Sequence, residues 1–134
     1  RSGRSILTTG DLQAAVAPIL PPRMEHKALA KIFQALRIEV NSEMKDLEKF
    51  LYGAAASLKT GGRLVVITYH SLEDRMVKNF IRTGNVEGEQ RRDLYGNTDN
   101  LLKAVTRKPV EPSETEIENN TRARSAKLRV AVKI

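Results

Sequence analysis

An α/β fold is what the sequence predicts, and three patterns carry the prediction. A helical stretch runs into Gly61-Gly62, a nearly unbroken apolar run follows in Leu64-Val65-Val66-Ile67-Thr68-Tyr69, and a second amphipathic helix starts near Ser71. Helix, turn, buried strand and helix in that order make one unit of an α/β sandwich. At the chain end Leu128, Val130, Val132 and Ile134 alternate with Lys127, Arg129, Ala131 and Lys133. That is the period of a strand with one buried face. Before all of this, residues 1–42 read as helix alone.

Each element has its own signal. Thr8 accepts from a free amide at a helix start, Asp11 suits the first turn, and Leu12, Ala15, Val16 and Ile19 recur at helical spacing. Pro21-Pro22 ends that helix. From Ala28 to Leu58 one apolar stripe predicts a long helix, or two that meet near Asn41-Ser42. The run at 64–69 reads as a strand covered on both faces, as in the middle of a parallel sheet. Ser71 with Asp74 three residues on has the spacing of a capping box. Residues 83–100, rich in Gly, Asn, Arg, Glu and Asp, read as a long mobile loop. Leu101–Thr106 reads as a strand that pairs antiparallel with the last one, and Pro112-Ser113 opens a short helix with Glu116 three residues past the serine.

Composition narrows the function classes. With no cysteine there is no disulfide, thiolate zinc site or cysteine nucleophile. Two histidines, His26 and His70, do not make a His-rich metal site, so no metal is expected. No apolar run approaches the ~20 residues that cross a bilayer, so no membrane role is expected and a cytoplasmic location is. The net charge of +7 favours a polyanionic partner, because Lys and Arg near phosphates displace condensed counterions.

The candidate site residues follow from position and charge. His70-Ser71-Leu72-Glu73-Asp74-Arg75 is the densest polar cluster and lies at the C-terminal end of the predicted strand, where open α/β sheets bind ligands. Arg37 and Asn41 lie four apart on the long helix. Thr121–Lys127 is a basic loop into the last strand, and Arg107-Lys108 ends the strand expected beside it. Gly61-Gly62 precedes a strand where a phosphate-binding glycine loop would follow one, so it is read as a turn.

Several long stretches in fixed order resemble the RsmH (MraW) family of ribosomal RNA methyltransferases. They are Phe33-Gln34-Ala35-Leu36-Arg37-Ile38-Glu39-Val40-Asn41, Gly61-Gly62-Arg63-Leu64, His70 to Arg75, Pro112-Ser113-Glu114 and Arg122-Ala123-Arg124-Ser125-Ala126-Lys127-Leu128-Arg129. Lys27-Ala28 stands where the family usually has His-Pro, Lys31 where Arg is usual, Tyr69 for Phe and Thr121 for Pro. The resemblance implies the C-terminal part of a Rossmann-like class I methyltransferase sheet (43–134) with part of a helical insertion domain (1–42). It implies methylation of the N4 amino group of a cytosine in 16S rRNA, with 16S rRNA or the small ribosomal subunit as partner. S-adenosyl-L-methionine would be bound mainly by an N-terminal half that this chain does not contain, leaving no cofactor-binding residue here and a fragment inactive alone. The opening Arg1 in place of Met fits that expectation. Lys27, Lys31, Arg37, Asn41, Ser71, Arg75, Arg107, Lys108, Arg122, Arg124 and Lys127 are the expected RNA-binding residues. His70, Glu73 and Asp74 are expected near the target base, with no catalytic residue assigned. A strand that normally pairs with an absent neighbour would have a bare edge, so a homodimer through the sheet edge is also expected. The alternative readings are a stand-alone basic RNA-binding module without catalysis, or an adaptor with no RNA role.

Overall fold

The computed structural model describes residues 5–20, 25–90 and 100–134. The predicted stop at Pro21-Pro22 lies outside the described residues. The chain divides into two compact units, Arg1–Glu43 and Met44–Ile134.

The first unit holds α1 (Thr9–Val16), a 3-10 turn (Ala17–Ile19) and α2 (Glu25–Val40). Thr8 caps α1 through a full capping box: its hydroxyl accepts from the Asp11 amide at 3.1 Å, and the Asp11 carboxylate accepts from the Thr8 amide at 2.8 Å. The long apolar stripe resolves into two helices. After α2, Ser42 takes φ 53 and α3 begins at Glu43.

The second unit holds α3 (Glu43–Ser57) from Met44 on, β1 (Arg63–Thr68), α4 (Ser71–Thr83), β2 (Leu102–Ala104), α5 (Glu114–Asn119), a 3-10 turn (Thr121–Ser125) and β3 (Lys127–Lys133). Its sheet has the order β1-β3-β2, with both pairings antiparallel. The core joins Leu51 and Ala55 of α3, Leu64 and Val66 of β1, Val77, Phe80 and Ile81 of α4, Leu102 of β2 and Ala131 of β3. Tyr52 meets Phe80 edge-on, with ring centroids 4.9 Å apart. The turn before β1 is closed by β3, since the Gly61 amide donates to the Lys133 carbonyl and the Lys133 amide donates to Gly62. Gly61 holds φ 84 there, a conformation that side chains disfavour.

Two expectations are corrected. Among the described residues β1 is not the middle of a parallel sheet. It pairs with β3 alone, and its residues alternate between exposed and buried. The side chains of Val65 and Ile67 stay about half exposed. In β3 the buried face is not the apolar one. Arg129 pairs with Val66 and Ala131 with Leu64, so Lys127, Arg129, Ala131 and Lys133 share the face that carries the core. Small Ala131, fully buried, leaves room for the helices, and the charged residues beside it find partners within the fold. The apolar set is left on the other face: Val65, Ile67, Leu128, Val130 and Val132.

The expected loop at 83–100 is described through residue 90. Thr83 is the last residue of α4, and Gly84 closes the helix in the left-handed conformation with its amide on the Phe80 carbonyl. Asn85 is buried, and its Oδ1 accepts from the Gly88 and Glu89 amides at 2.8 and 3.0 Å. Residues 91–99 lie outside the described residues. β2, antiparallel to β3, is the strand expected within 101–106, and Ser113 caps α5 by accepting from the Glu116 amide.

Candidate functional site

The polar cluster forms the junction of β1 and α4. The capping box starts one residue earlier than Ser71. His70 is the N-cap: its Nδ1 accepts from the Glu73 amide at 3.4 Å, and Glu73 Oε2 accepts from the amides of Tyr69 and His70 at 2.9 and 3.3 Å. With Nδ1 accepting, the neutral ring carries its proton on Nε2. That nitrogen is buried and lies 3.2 Å from Glu73 Oε1 without hydrogen-bond alignment. The Glu73 carboxylate therefore serves the free amides of a helix start, where negative charge is also favoured by the helix dipole.

Asp74 faces the opposite way, into the sheet. It receives Arg129 from β3 as a fork, Nε to Oδ1 at 2.7 Å and Nη2 to Oδ2 at 3.0 Å, with Lys127 Nζ 4.0 Å away. Both side chains are nearly buried. The Arg129 hydrogen bond leads in holding the Asp74 carboxyl below its ordinary pKa of 3.8, and the charges of Arg129, Lys127 and Lys78 add to it against the cost of burial.

The other predicted residues separate by unit. In the first unit Lys27 and Lys31 are exposed on α2, one turn apart. Arg37 and Asn41 both turn to Glu43: Arg37 donates at 2.9 and 3.2 Å, and Asn41 Nδ2 at 3.2 Å. In the second unit Ser71 and Arg75 are exposed in the first turns of α4. Arg122 and Arg124 are exposed on the 3-10 turn into β3, where Asn120 Oδ1 accepts from the Arg122 amide at 3.2 Å. Arg107 and Lys108 are exposed in the turn after β2, which leads to the bridge between Val110 and Leu128. The structure thus brings Asp74 and Lys127 together, and unites His70 with Glu73. Arg129, Lys78 and Arg82 were not among the predicted residues. The one signal for the latter pair was their i,i+4 spacing on a predicted helix.

The profile described as "MraW methylase family" matches residues 1–134. The ribosomal RNA small subunit methyltransferase H of Bacteroides thetaiotaomicron is 55% identical over 133 residues, which are 99% of this chain and 44% of that protein. The protein of the same description from Flavobacterium johnsoniae is 50% identical over 134 residues, 100% of this chain and 44% of the relative. The one from Parabacteroides distasonis is 49% identical over 134 residues with the same coverage. The chain thus spans less than half the length of these curated relatives.

The Asp74–Arg129 pair predicts a pH dependence. A carboxylate with a lowered folded-state pKa contributes stability that is complete above its unfolded value and lost as pH falls through the lowered one. Asp74→Asn should cost about 3 kcal/mol or more at pH 7, because it leaves Arg129 buried without its counter-charge. Urea unfolding should show the gap to wild type closing as pH drops from 3.8 toward about 2. A gap of constant size over that range would deny the charge of Asp74 any part in stability.

Proposed function

This chain belongs to the MraW methylase family, and on that premise we propose that it is part of an S-adenosylmethionine-dependent methyltransferase acting on 16S rRNA. The target in this reading is the N4 amino group of a cytosine, and the chain handles the RNA. The observation that carries the proposal is the likeness, about half of all residues across nearly the whole chain, to proteins described as ribosomal RNA small subunit methyltransferase H.

The cofactor, when bound, offers a methyl group on a sulfonium for in-line displacement. An adenosine site needs an acid free for the ribose and a glycine turn that follows a strand. The described residues fit that poorly. Glu73 serves the helix start and Asp74 serves Arg129, while Gly61-Gly62 precedes β1. We therefore place cofactor binding outside this chain and route no step through it. We further propose the folds that go with this reading: a Rossmann-like methyltransferase sheet for 43–134 and part of a helical insertion domain for 1–42.

What the chain adds is positive charge held in place. Lys27 and Lys31 on α2, Ser71 and Arg75 on α4, Arg107 and Lys108 after β2, and Arg122, Arg124 and Lys127 before β3 are proposed to meet RNA phosphates. Arg37 and Asn41 contribute by ordering the end of α2 through Glu43. His70, Glu73 and Asp74 are proposed to hold the β1–α4 junction beside the target base as positioning residues, since both carboxylates are already engaged. Among the described residues no helix is long and apolar enough to cross a membrane, and the cytoplasm is the compartment proposed for a ribosomal substrate. The edge of β1 that no other strand covers among the described residues, with the apolar face that holds Val65 and Ile67, is proposed to pair with a second copy when the chain is alone.

Three measurements test this. Replacing Arg122, Arg124 and Lys127 with Ala should weaken RNA binding and flatten its salt dependence, by about 0.7–0.9 in log–log slope per lost phosphate contact; an unchanged slope would leave an adaptor role instead. Calorimetric titration of S-adenosylmethionine into the chain should give no heat of binding, and saturable one-to-one binding would put a cofactor site back into these residues. Sedimentation should show self-association that grows with concentration, whereas a monomer at the highest concentrations reached would end the edge-pairing proposal.

A further inference from the structure

A cleft in the second unit lies between α4 and the strands β2 and β3. Its lining includes Lys78, Ile81, Arg82, Ala104, Arg107 and Arg129. Of the eight described residues that line it, four are cationic and none is acidic. Lys78 and Arg82 are one turn apart on α4 and so share a face, and both are exposed. Arg107 is exposed on the turn after β2.

The charges differ in what they are free to do. Arg129 gives two of its N–H groups to Asp74, and that pair is close to neutral. Lys78, Arg82 and Arg107 are in no ion pair among the described residues. Arg82 has one long hydrogen bond, from Nη2 to the Gly88 carbonyl at 3.4 Å. Three cations without an ion pair among the described residues therefore lie around an apolar floor that includes Ile81 and Ala104. Holding like charges close together is unfavourable unless an anion joins them. The apolar floor with a cationic rim matches a chain of phosphates carrying flat, weakly polar groups between them.

We propose that this cleft is a second RNA site, in which Lys78, Arg82 and Arg107 hold successive phosphates of the RNA backbone while a ribose or base rests on Ala104 and the edge of Ile81. It rests on the RNA-handling role proposed above and adds a surface that does not involve the basic turn at Arg122 and Arg124. Arg129, locked by Asp74, lines the cleft as a positioning residue for the floor. Contacts of this kind fix the register of the RNA and carry no sequence information.

The test is fluorescence anisotropy of the 134-residue chain with a fluorescein-labelled RNA hairpin, over roughly 50 to 200 mM KCl. The triple variant Lys78→Ala, Arg82→Ala and Arg107→Ala removes exposed side chains, and its fold is checked by circular dichroism. The control triple, Lys45→Ala, Lys49→Ala and Lys59→Ala, removes the same charge from exposed positions elsewhere in the second unit. The cleft variant should lose about tenfold or more in affinity at the lower salt, and its log–log salt slope should fall by about 2. The control should lose far less, and Arg82→Lys with Arg107→Lys should keep most of the slope. If wild type binds the hairpin but the cleft and control variants lose affinity equally, the cleft is not a site and the RNA-handling role stands. If wild type shows no saturable binding at the lower salt, that role and the cleft fall together. Displacement of the hairpin by poly-glutamate as readily as by unlabelled RNA of equal charge would point to an acidic protein and overturn the proposal.

Discussion

The second unit hangs on its last seven strand residues. Among the described residues β1 and β2 do not touch as strands, and each is hydrogen-bonded through β3, Lys127–Lys133. The same strand closes the turn at Gly61-Gly62 and sends Arg129 to the first turn of α4 and Lys133 to the Ala55 carbonyl of α3. Strand, turn and both core helices are therefore fastened to one segment at the end of the chain. Such contacts join residues far apart in sequence, 55 positions for Asp74 and Arg129 and 78 for Ala55 and Lys133. The entropy of closing those loops is recovered only when β3 docks, so β1 and α4 have little reason to hold their places before it does.

Local chemistry was legible where one residue decides an outcome over a few neighbours. The Thr8–Asp11 box and the Ser113 cap could be read from residue types, and Asn41-Ser42 marked the place where the alternative of two helices put the break between α2 and α3. What failed had two physical causes. Histidine is not among the favoured N-caps, so Ser71 drew the cap although the better signal was Glu73 three residues after His70. The strands failed differently. An apolar run such as 64–69 reports that both faces are apolar, and says nothing about what lies against either. Likewise, the alternation in β3 located two faces correctly and assigned burial to the wrong one, because the partner of Arg129 is a buried carboxylate distant in sequence.

That inversion matters for how the candidate site can be understood. Cations on the core side of β3 are consumed by the fold: Arg129 and in part Lys127 by Asp74, and Lys133 by a carbonyl in the last turn of α3, where positive charge also meets the negative end of the helix dipole. Such residues resemble binding residues in sequence and act as fasteners in the structure. The predicted RNA-binding set therefore mixes two kinds of positive charge, and Lys127 sits on the border between them.

The distinction also decides which charges of a strongly basic chain act on solvent. A cation bonded to a buried carboxylate adds little to the outward field, since the pair is close to neutral at any distance beyond its own size. The field that reaches solvent comes from exposed cations, and near the ends of β3 these include Lys78 and Arg82 on α4, Arg107 and Lys108 after β2, and Arg122 and Arg124 before β3. These side chains stand on a helix and on two short turns that β3 ties together, through the Val110–Leu128 bridge on one side and the strand's own start on the other. A polyanion meeting this surface would find charges whose spacing is set by strand pairing, so less side-chain and loop entropy is lost on contact. The fasteners on one face of β3 and the free charges around its ends are thus two halves of one arrangement. The first spends charge to fix the backbone, and the second uses the fixed backbone to present charge.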